Sequence, residues 1–433
     1  MKQKKLIIAI IFLSSFIWAW QCKNPNGPGI DWLSRNWYMS ETKAPGYRGP
    51  ITYGDREAID PTTQMGNDKR LYINGRINYR IPALLTLENG NILAFADKRY
   101  NGAGDLPNRI EVMVKISTNN GTNWTDEKRV TPISTSTMDG NGDTGCVLDR
   151  KTGDVLALVA AGQGFLKSTS NDPIRIKVVR SKDGGESWLA PVDITSQVYG
   201  AGCKDLTRKN WQAAFVTSGN GLQMRNGRII FVLNVRQTTS PFVENYILYS
   251  DDGGYKWRVS RGSPKNPRGG NEAKVVELND GSLLMHIRWT PNRLQSRSYD
   301  YGETWTEATV ITSLPASSSN GDLIVYTSTK NGYDKDRLIT LVDSRPWNGK
   351  QSGYPGIPVF YVSYDEGMTW TNKKTLYQKA AGYSSLAILK DGSIGILAEL
   401  TQPWNGPIWF LRTSIEWCNP LDNPCSPNVS VKK

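Results

Sequence analysis

An eight-residue pattern, Ser-x-Asp-x-Gly-x-Ser/Thr-Trp, recurs five times in this chain of 433 residues. Three copies are clean: SKDGGESW from Ser181 to Trp188, SYDYGETW from Ser298 to Trp305, and SYDEGMTW from Ser363 to Trp370. SDDGGYKW, from Ser250 to Trp257, departs only at Lys256, and STNNGTNW, from Ser117 to Trp124, carries Asn119 and Asn123 in place of Asp and Thr. Each copy has the makings of a tight hairpin. The Asp accepts hydrogen bonds from backbone N–H groups of its own turn. The Gly opens a backbone conformation closed to other residues, and the Trp is a large apolar anchor between neighbouring sheets. These boxes are fold staples expected away from any active site, so they identify an architecture and not a reaction.

A second repeat interleaves with the first: a turn with Gly, then an apolar strand. Its copies are ENGNILAF at Gly90, KTGDVLAL at Gly153, RNGRIIFV at Gly227, NDGSLLMH at Gly281, KNGYDKDRLITLV at Gly332 and KDGSIGIL at Gly392. The box starts differ by 64, 69, 48 and 65 residues, enough in each interval for a four-stranded sheet with its loops. Six turn-plus-strand units predict an all-β chain folded as a six-bladed β-propeller. Long amphipathic helices are absent, and 41 Gly and 23 Pro suit a turn-rich fold. Length alone suggests two or three domains, but the repeat predicts one closed domain over residues 75–416, with a tail at 417–433. Residues 23–74, polar and rich in Gly and Pro, read as a linker and a lead-in strand.

The chain begins MKQKK followed by LIIAIIFLSSFIWAW. A basic start and a short apolar run read as a secretory signal over residues 1–22, too short for a comfortable membrane span. Two readings of its end stay open: a lipid-modified Cys22, which would tether the protein to a membrane, or ordinary cleavage near Ala19. The expected location is therefore exported: cell surface, periplasm or medium. Cys418 and Cys425 could close a small C-terminal loop, and Cys146 could pair with Cys203 if the fold brings them together. The single histidine, His286, and the absence of Cys/His spacing argue against a metal site. The net charge of +12 is spread along the chain without a nucleic-acid motif. For an exported basic protein, an acidic glycan is the better expected partner.

Four segments stand outside the repeats. INYRIPALL places Arg80 in an apolar strand, where a buried guanidinium must be paired, either in a structural salt bridge or as a clamp for a ligand carboxylate. LAFADKRYNGAGDLPNR ends a strand at Arg99 and carries Asp105 on a Gly-rich loop, either a turn residue or a proton donor. GGNEAKVVELNDGSLLMHIRW places Glu272 after a turn and Arg288 at a strand end. AGYSSLAILKDGSIGILAEL places Tyr383 at the start of one strand, where packing is its ordinary use, and Glu399 at the end of the next.

In this order the segments resemble the exo-α-sialidase (neuraminidase) family with Asp-box, or bacterial neuraminidase, repeats, over roughly Tyr79 to Glu399. Arg80 precedes Arg99 by 19 residues and Asp105 by 25, and Glu272 precedes Arg288 by 16, separations similar to those of the family. The resemblance implies that Arg80 and Arg288 grip the sialic acid carboxylate and that Arg99 lies near the substrate's 4-position. It implies Asp105 as general acid/base, Tyr383 as nucleophile with Glu272 as its partner, and Glu399 as the carboxylate that holds Arg80. Asp143, in DGNGDTGCVLDR, would line the N-acyl pocket. A third carboxylate-binding arginine is expected shortly before the last box. The stretch SGYPGIPVFYVSYDEG has none, which leaves Arg345 in DSRPWNGK as the candidate, ahead of Arg337 and Lys350. The implied reaction is retaining hydrolysis of terminal α-linked sialic acid from glycoproteins, glycolipids or oligosaccharides, by a monomer without metal or cofactor. A neutral Tyr avoids the repulsion that a carboxylate nucleophile would meet beside the substrate's own carboxylate. The rivals are a non-catalytic sialoglycan-binding propeller, a hydrolase for a related nonulosonic acid, and a trans-sialidase, which would need acceptor-site aromatics. A nucleophile and its base are superfluous in a pure binder, which favours an enzyme.

Overall fold

The computed structural model describes residues 61, 70–73, 77–266, 269–346, 356–400, 407–419 and 422. The leader with Cys22, most of the linker, Lys350, Cys425 and the end of the tail lie outside the described residues. Six antiparallel blades surround a central channel. Blade 1 holds β2 (Asn78–Thr86), β3 (Ile92–Arg99), β4 (Ile110–Ser117) and β5 (Lys128–Arg129). Blade 2 holds β6 (Asn141–Leu148), β7 (Val155–Ala161), β8 (Arg175–Ser181) and β9 (Val192–Asp193). In blade 3, β10 (Ala213–Val216) and β12 (Leu222–Gln223) both pair with β13 (Ile229–Arg236), followed by β14 (Val243–Ser250) and β15 (Arg258–Val259). Between β10 and β12, β11 (Gly219–Asn220) runs parallel beside β6. Blade 4 holds β16 (Ala273–Glu277), β17 (Leu283–Ile287), β18 (Asn292–Ser298) and β19 (Thr309–Pro315). Blade 5 holds β20 (Asp322–Thr327), β21 (Arg337–Pro346), β22 (Gly356–Ser363) and β23 (Thr371–Thr375). Blade 6 is made of β24 (Ala381–Ile388), β25 (Ile394–Leu400) and β26 (Ile408–Thr413), with its outer strand supplied by β1 (Arg70–Tyr72) from the other end of the chain. That pairing closes the ring and removes a free edge.

The two repeats have separate places. The six Gly turns join the first and second strands of the six blades, and all six glycines have positive φ, from 78° to 91°. The five boxes join the third and fourth strands of blades 1 to 5. Blade 6 has no box because its fourth strand arrives from elsewhere in the chain. In each box the Ser Oγ accepts the Gly N–H four residues on, as from Gly302 to Ser298 at 2.9 Å. The carboxylate takes the next backbone N–H and hydroxyl, as at Asp300 from Thr304 at 2.8 and 2.7 Å. Even the degraded copy keeps this turn, with Asn119 Oδ1 accepting from Asn123 N at 2.8 Å.

Hydrophobic clusters fill the six spaces between successive blades. Strand β7 shows how: Val155, Ala157 and Val159 pack toward blade 1, while Leu156, Leu158 and Ala160 pack toward blade 3. Both faces of such a strand are buried, so its sequence reads as an unbroken apolar run rather than an alternation. Each box Trp packs into the space shared with the preceding blade, as Trp188 with blade 1 and Trp257 with blade 2. Cys146 and Cys203 are free thiols, each hydrogen bonded elsewhere, and Cys418 is free as well. His286 is buried edge-on to Trp370 at 5.0 Å, and burial pushes its pKa down to about 3. It is a core histidine.

Candidate active site

The inner strands all begin at one end of the channel and finish at the other. The Gly turns and boxes occupy the finishing end. The chemistry-bearing residues gather at the starting end. Three inner strands break register there: β2 between Arg80 and Ala83, β6 between Gly142 and Gly145, and β24 between Ala381 and Ser384. Bulges of this kind re-aim side chains, and they carry Arg80, Asp143 and Tyr383. Ile81 and Asp143 have φ of 58° and 55°, values that cost a residue with a Cβ about 1–2 kcal/mol.

Glu399 pins the first bulge. Its carboxylate, 2% exposed, accepts Arg80 Nε at 3.2 Å, Arg80 Nη2 at 3.4 Å, Ile81 N at 2.9 Å and Tyr383 N at 3.2 Å. The Arg80 guanidinium, 3% exposed, therefore points into the channel mouth, 5.3 Å from the centre of the Tyr383 ring. The sequence offered Arg80 a structural pair or a ligand clamp; the pair is present and leaves Nη1 directed toward Asp105 at 3.7 Å.

Glu272, Arg288 and Tyr383 form a second group. Glu272 precedes β16, Arg288 follows β17, and the Arg288 N to Glu272 O bond of 2.9 Å ties the two positions together. Tyr383 Oη donates to Glu272 Oε2 at 2.5 Å and accepts from Arg288 Nη1 at 2.8 Å. Arg288 Nη1 also bonds Glu272 Oε2. Burial, then the charge of Glu272, pushes the Tyr383 phenol well above its ordinary pKa, with Arg288 opposing. The resting side chain is a neutral phenol with a base and a cation already in contact with its oxygen.

Asp105 faces this group from the β3–β4 loop. Arg99 is fully buried and donates to Asp105 Oδ1 at 2.7 Å, Ala103 O at 2.6 Å and Asp97 Oδ2 at 2.9 Å. The Asp105 side chain remains 68% exposed. Partial desolvation beside the protein acts to raise its pKa, but the charges of Arg99 and Arg80 outweigh it and hold the carboxyl below the usual range. Asp97, which sequence reasoning passed over, is fully buried behind Arg99 and accepts Asp143 N at 3.1 Å. Burial raises Asp97 to about 6, against the pull of Arg99. Burial, then Asp97 and Asp105, pushes Asp143 well above the carboxylate range. One signal for Asp97 was available: it alternates with Arg99 on one face of β3.

Arg345 lies on β21 opposite Ile357, and its side chain is outside the described residues. Arg337 is fully buried away from the mouth, paired with Asp334 and Asp422. An arginine that the sequence analysis did not single out, Arg293 on β18, is buried beneath the site and donates Nη1 to Ser319 O at 3.1 Å and Nη2 to Asn320 O. Among the described residues no group of three or more His, Cys, Asp or Glu side chains is arranged to hold a metal ion. A cavity of about 360 Å³ opens at the opposite end of the channel, lined by Leu84, Val147, Gln223, Glu277 and Tyr326 among others. None of the residues at the mouth borders it.

The family model described as a BNR repeat-like domain matches residues 81–352. The sialidase of Bacteroides fragilis (strain YCH46) is 29% identical over 379 residues, 80% of this chain and 65% of that protein. The chain belongs to the BNR-repeat sialidase family. The sialidase of Micromonospora viridifaciens is 28% identical over 389 residues, 84% of this chain and 56% of that protein. The chain thus spans less than two thirds of either relative. Among solved structures, Hadza microbial sialidase Hz136 superposes with a TM-score of 0.66 at 25% identity, covering 81% of this chain and 67% of that one. A leech intramolecular trans-sialidase gives 0.68 at 17% identity over 82% of this chain and 71% of its own, a likeness of fold alone. The six-bladed sialidase propeller is therefore the fold of this chain.

Proposed function

We propose that this protein is an exported retaining exo-α-sialidase that releases terminal α-linked sialic acid from glycoconjugates. The observation that carries the reading is the Tyr383–Glu272–Arg288 contact set, with Asp105 held across the channel mouth by Arg99 and Arg80. A sialoside seats its carboxylate on Arg80 and Arg288, which orients the anomeric carbon over the Tyr383 oxygen. Tyr383 Oη attacks that carbon, its proton passes to Glu272, and Asp105 protonates the departing glycosidic oxygen. Water then attacks the sialyl–tyrosine bond. Asp105 takes the water's proton, and Glu272 returns its own to the phenolate. Two displacements retain configuration.

Arg99 and Arg80 hold the Asp105 carboxyl below the usual range. An anionic substrate on Arg80 offsets the positive charge that holds it down, so substrate binding itself promotes the protonated acid. The N-terminal basic-apolar run supports export. The protein's net charge of +12 favours approach of acidic glycans.

The test is hydrolysis of a fluorogenic α-sialoside by the purified protein beside Tyr383→Phe. Turnover that falls at least 100-fold in the variant supports the reading. Equal turnover removes Tyr383 from the mechanism, and sialoside binding with no turnover in either protein would make the chain a sialoglycan-binding propeller.

A further inference from the structure

Beyond Ala381, which pairs with Gly356 of β22, the inner edge of β24 faces the channel without a ladder partner for its backbone groups. Such groups need partners when buried. Side chains of the neighbouring blade 5 supply them. The Asn320 amide holds both backbone groups of Ser384: Oδ1 accepts Ser384 N at 3.1 Å, and Nδ2 donates to Ser384 O at 3.1 Å. One step further along, Asp322 Oδ2 accepts Leu386 N at 2.6 Å. Asn320 is 1% exposed and lies just before β20.

Asn320 is itself gripped from behind. The Ser319 and Asn320 carbonyls both accept from Arg293, which is 1% exposed. Gly321 follows with φ of 61°, and a Cβ built there would stand 2.2 Å from Arg293 Nη2. The glycine is what lets the guanidinium approach the backbone this closely. A continuous path of contacts therefore runs from Arg293 to Asn320, to the backbone of Ser384, and to Tyr383 beside it. Tyr383 N is fixed on its other side by Glu399 at 3.2 Å. The phenol is held at its backbone by two independent clamps.

We propose that Asn320, backed by Arg293, is a positioning residue that sets the reach of Tyr383 toward the anomeric carbon. The inference rests on the proposed nucleophilic role of Tyr383. Neither residue touches substrate; Arg293 supplies its guanidinium to the backbone behind the site, not to the substrate carboxylate. Removing the Asn320 amide frees the Ser384 peptide, and a displacement of about 1 Å at a reacting atom can cost about 100-fold in rate.

The experiment compares wild type with Asn320→Ala, Asn320→Asp and Arg293→Lys. Asn320→Asp keeps an acceptor for Ser384 N but loses the donor to Ser384 O. Expected for Asn320→Ala is a fall in kcat of about 30- to 100-fold, with KM and the affinity for an unreactive 2,3-unsaturated acidic sugar changed less than threefold. Asn320→Asp and Arg293→Lys should lie between. A second readout needs no turnover: ¹⁹F NMR of protein labelled with 3-fluorotyrosine, the Tyr383 signal being assigned by its loss in Tyr383→Phe. Asn320→Ala should shift or broaden that signal. A lower melting temperature with kcat within threefold and an unmoved Tyr383 signal would overturn the proposal, as would parallel weakening of KM and analogue binding. If wild type turns over no sialoside, the functional reading fails separately, and the Tyr383 signal still decides whether Asn320 positions the phenol.

Discussion

Replacing Glu399 by Gln removes one charge and almost no volume, at the point where the site depends most on a buried carboxylate. Four hydrogen bonds converge on it, two from Arg80 and one each from the Ile81 and Tyr383 backbones. Hydrogen bonds to a charged group contribute about 1.5–3 kcal/mol each when lost singly. They share one acceptor, so their sum overstates the loss. The better guide is the breaking of a buried ion pair, about 3–5 kcal/mol, because Arg80 at 3% exposure is left without its full partner. Gln retains one acceptor oxygen, which places Glu399→Gln near the lower end, about 3 kcal/mol. The effect on catalysis is separate. Ile81 holds φ of 58° with Glu399 bonded to its N–H, so the bulge that aims Arg80 relaxes when that bond weakens. Arg80 then swings toward Asp105, already 3.7 Å away. Denaturant unfolding monitored by tryptophan fluorescence reads the first effect, and kcat/KM for a sialoside, expected to fall about 100-fold, reads the second. A stability loss under about 1 kcal/mol with kcat/KM unchanged would refute the claim that Glu399 sets the Arg80 geometry.

Three other outcomes follow from the same contacts. Arg99→Met removes the largest charge that holds the Asp105 carboxyl down; its pKa rises, the acid stays protonated to higher pH, and the alkaline limb of the pH–kcat/KM profile moves upward even as the rate falls. Trp257→Ala deletes a side chain 4% exposed that donates to Gly254 O at 3.1 Å. It should cost about 3–5 kcal/mol in unfolding free energy while leaving kcat at permissive temperature within twofold, since the box lies at the far end of the channel. Burial would raise the Asp300 carboxyl, but bonds from Thr304 and Ser298 outweigh it and lower its pKa. The stability it gives is present above about pH 4 and is lost as pH falls through the lower folded value. Asp300→Asn should therefore destabilise at pH 6, with the gap closing toward pH 2 in parallel thermal melts.

Most of the architecture was legible because the turns that make it are chemically exacting. A turn with φ near 80–90° favours Gly, and a box that caps its own backbone favours Ser, Asp or Asn, and Trp at fixed offsets, so these residues recur however the strands between them drift. Arg80, Glu272, Arg288, Tyr383 and Glu399, which stand out at the ends of otherwise apolar strands, and Asp105 on its Gly-rich loop could be named from the sequence because their order resembles that of the sialidase family. What joins them could not. Arg293, on a strand of blade 4, and Asn320, just before the first strand of blade 5, look like ordinary polar residues, and only packing of the blades sets them behind Tyr383. Asp97 sits two residues from Arg99 in a run of charges, Asp-Lys-Arg, where the two buried members are not evident until the strand's faces are known. The absence of a box in blade 6 was visible, but its cause, an outer strand donated by residues 70–72, is a long-range pairing that no local pattern encodes.

Tyr383 Oη is expected to form the bond to the sugar. Incubation with a 3-fluorosialosyl fluoride, which forms the intermediate faster than it hydrolyses, followed by intact-mass measurement and peptide mapping, tests it directly. One added fluorosialyl group is expected, located on the peptide containing Tyr383 and absent from Tyr383→Phe. An adduct on Glu272 or Asp105, or turnover of the reagent with inverted configuration and no adduct, would contradict it.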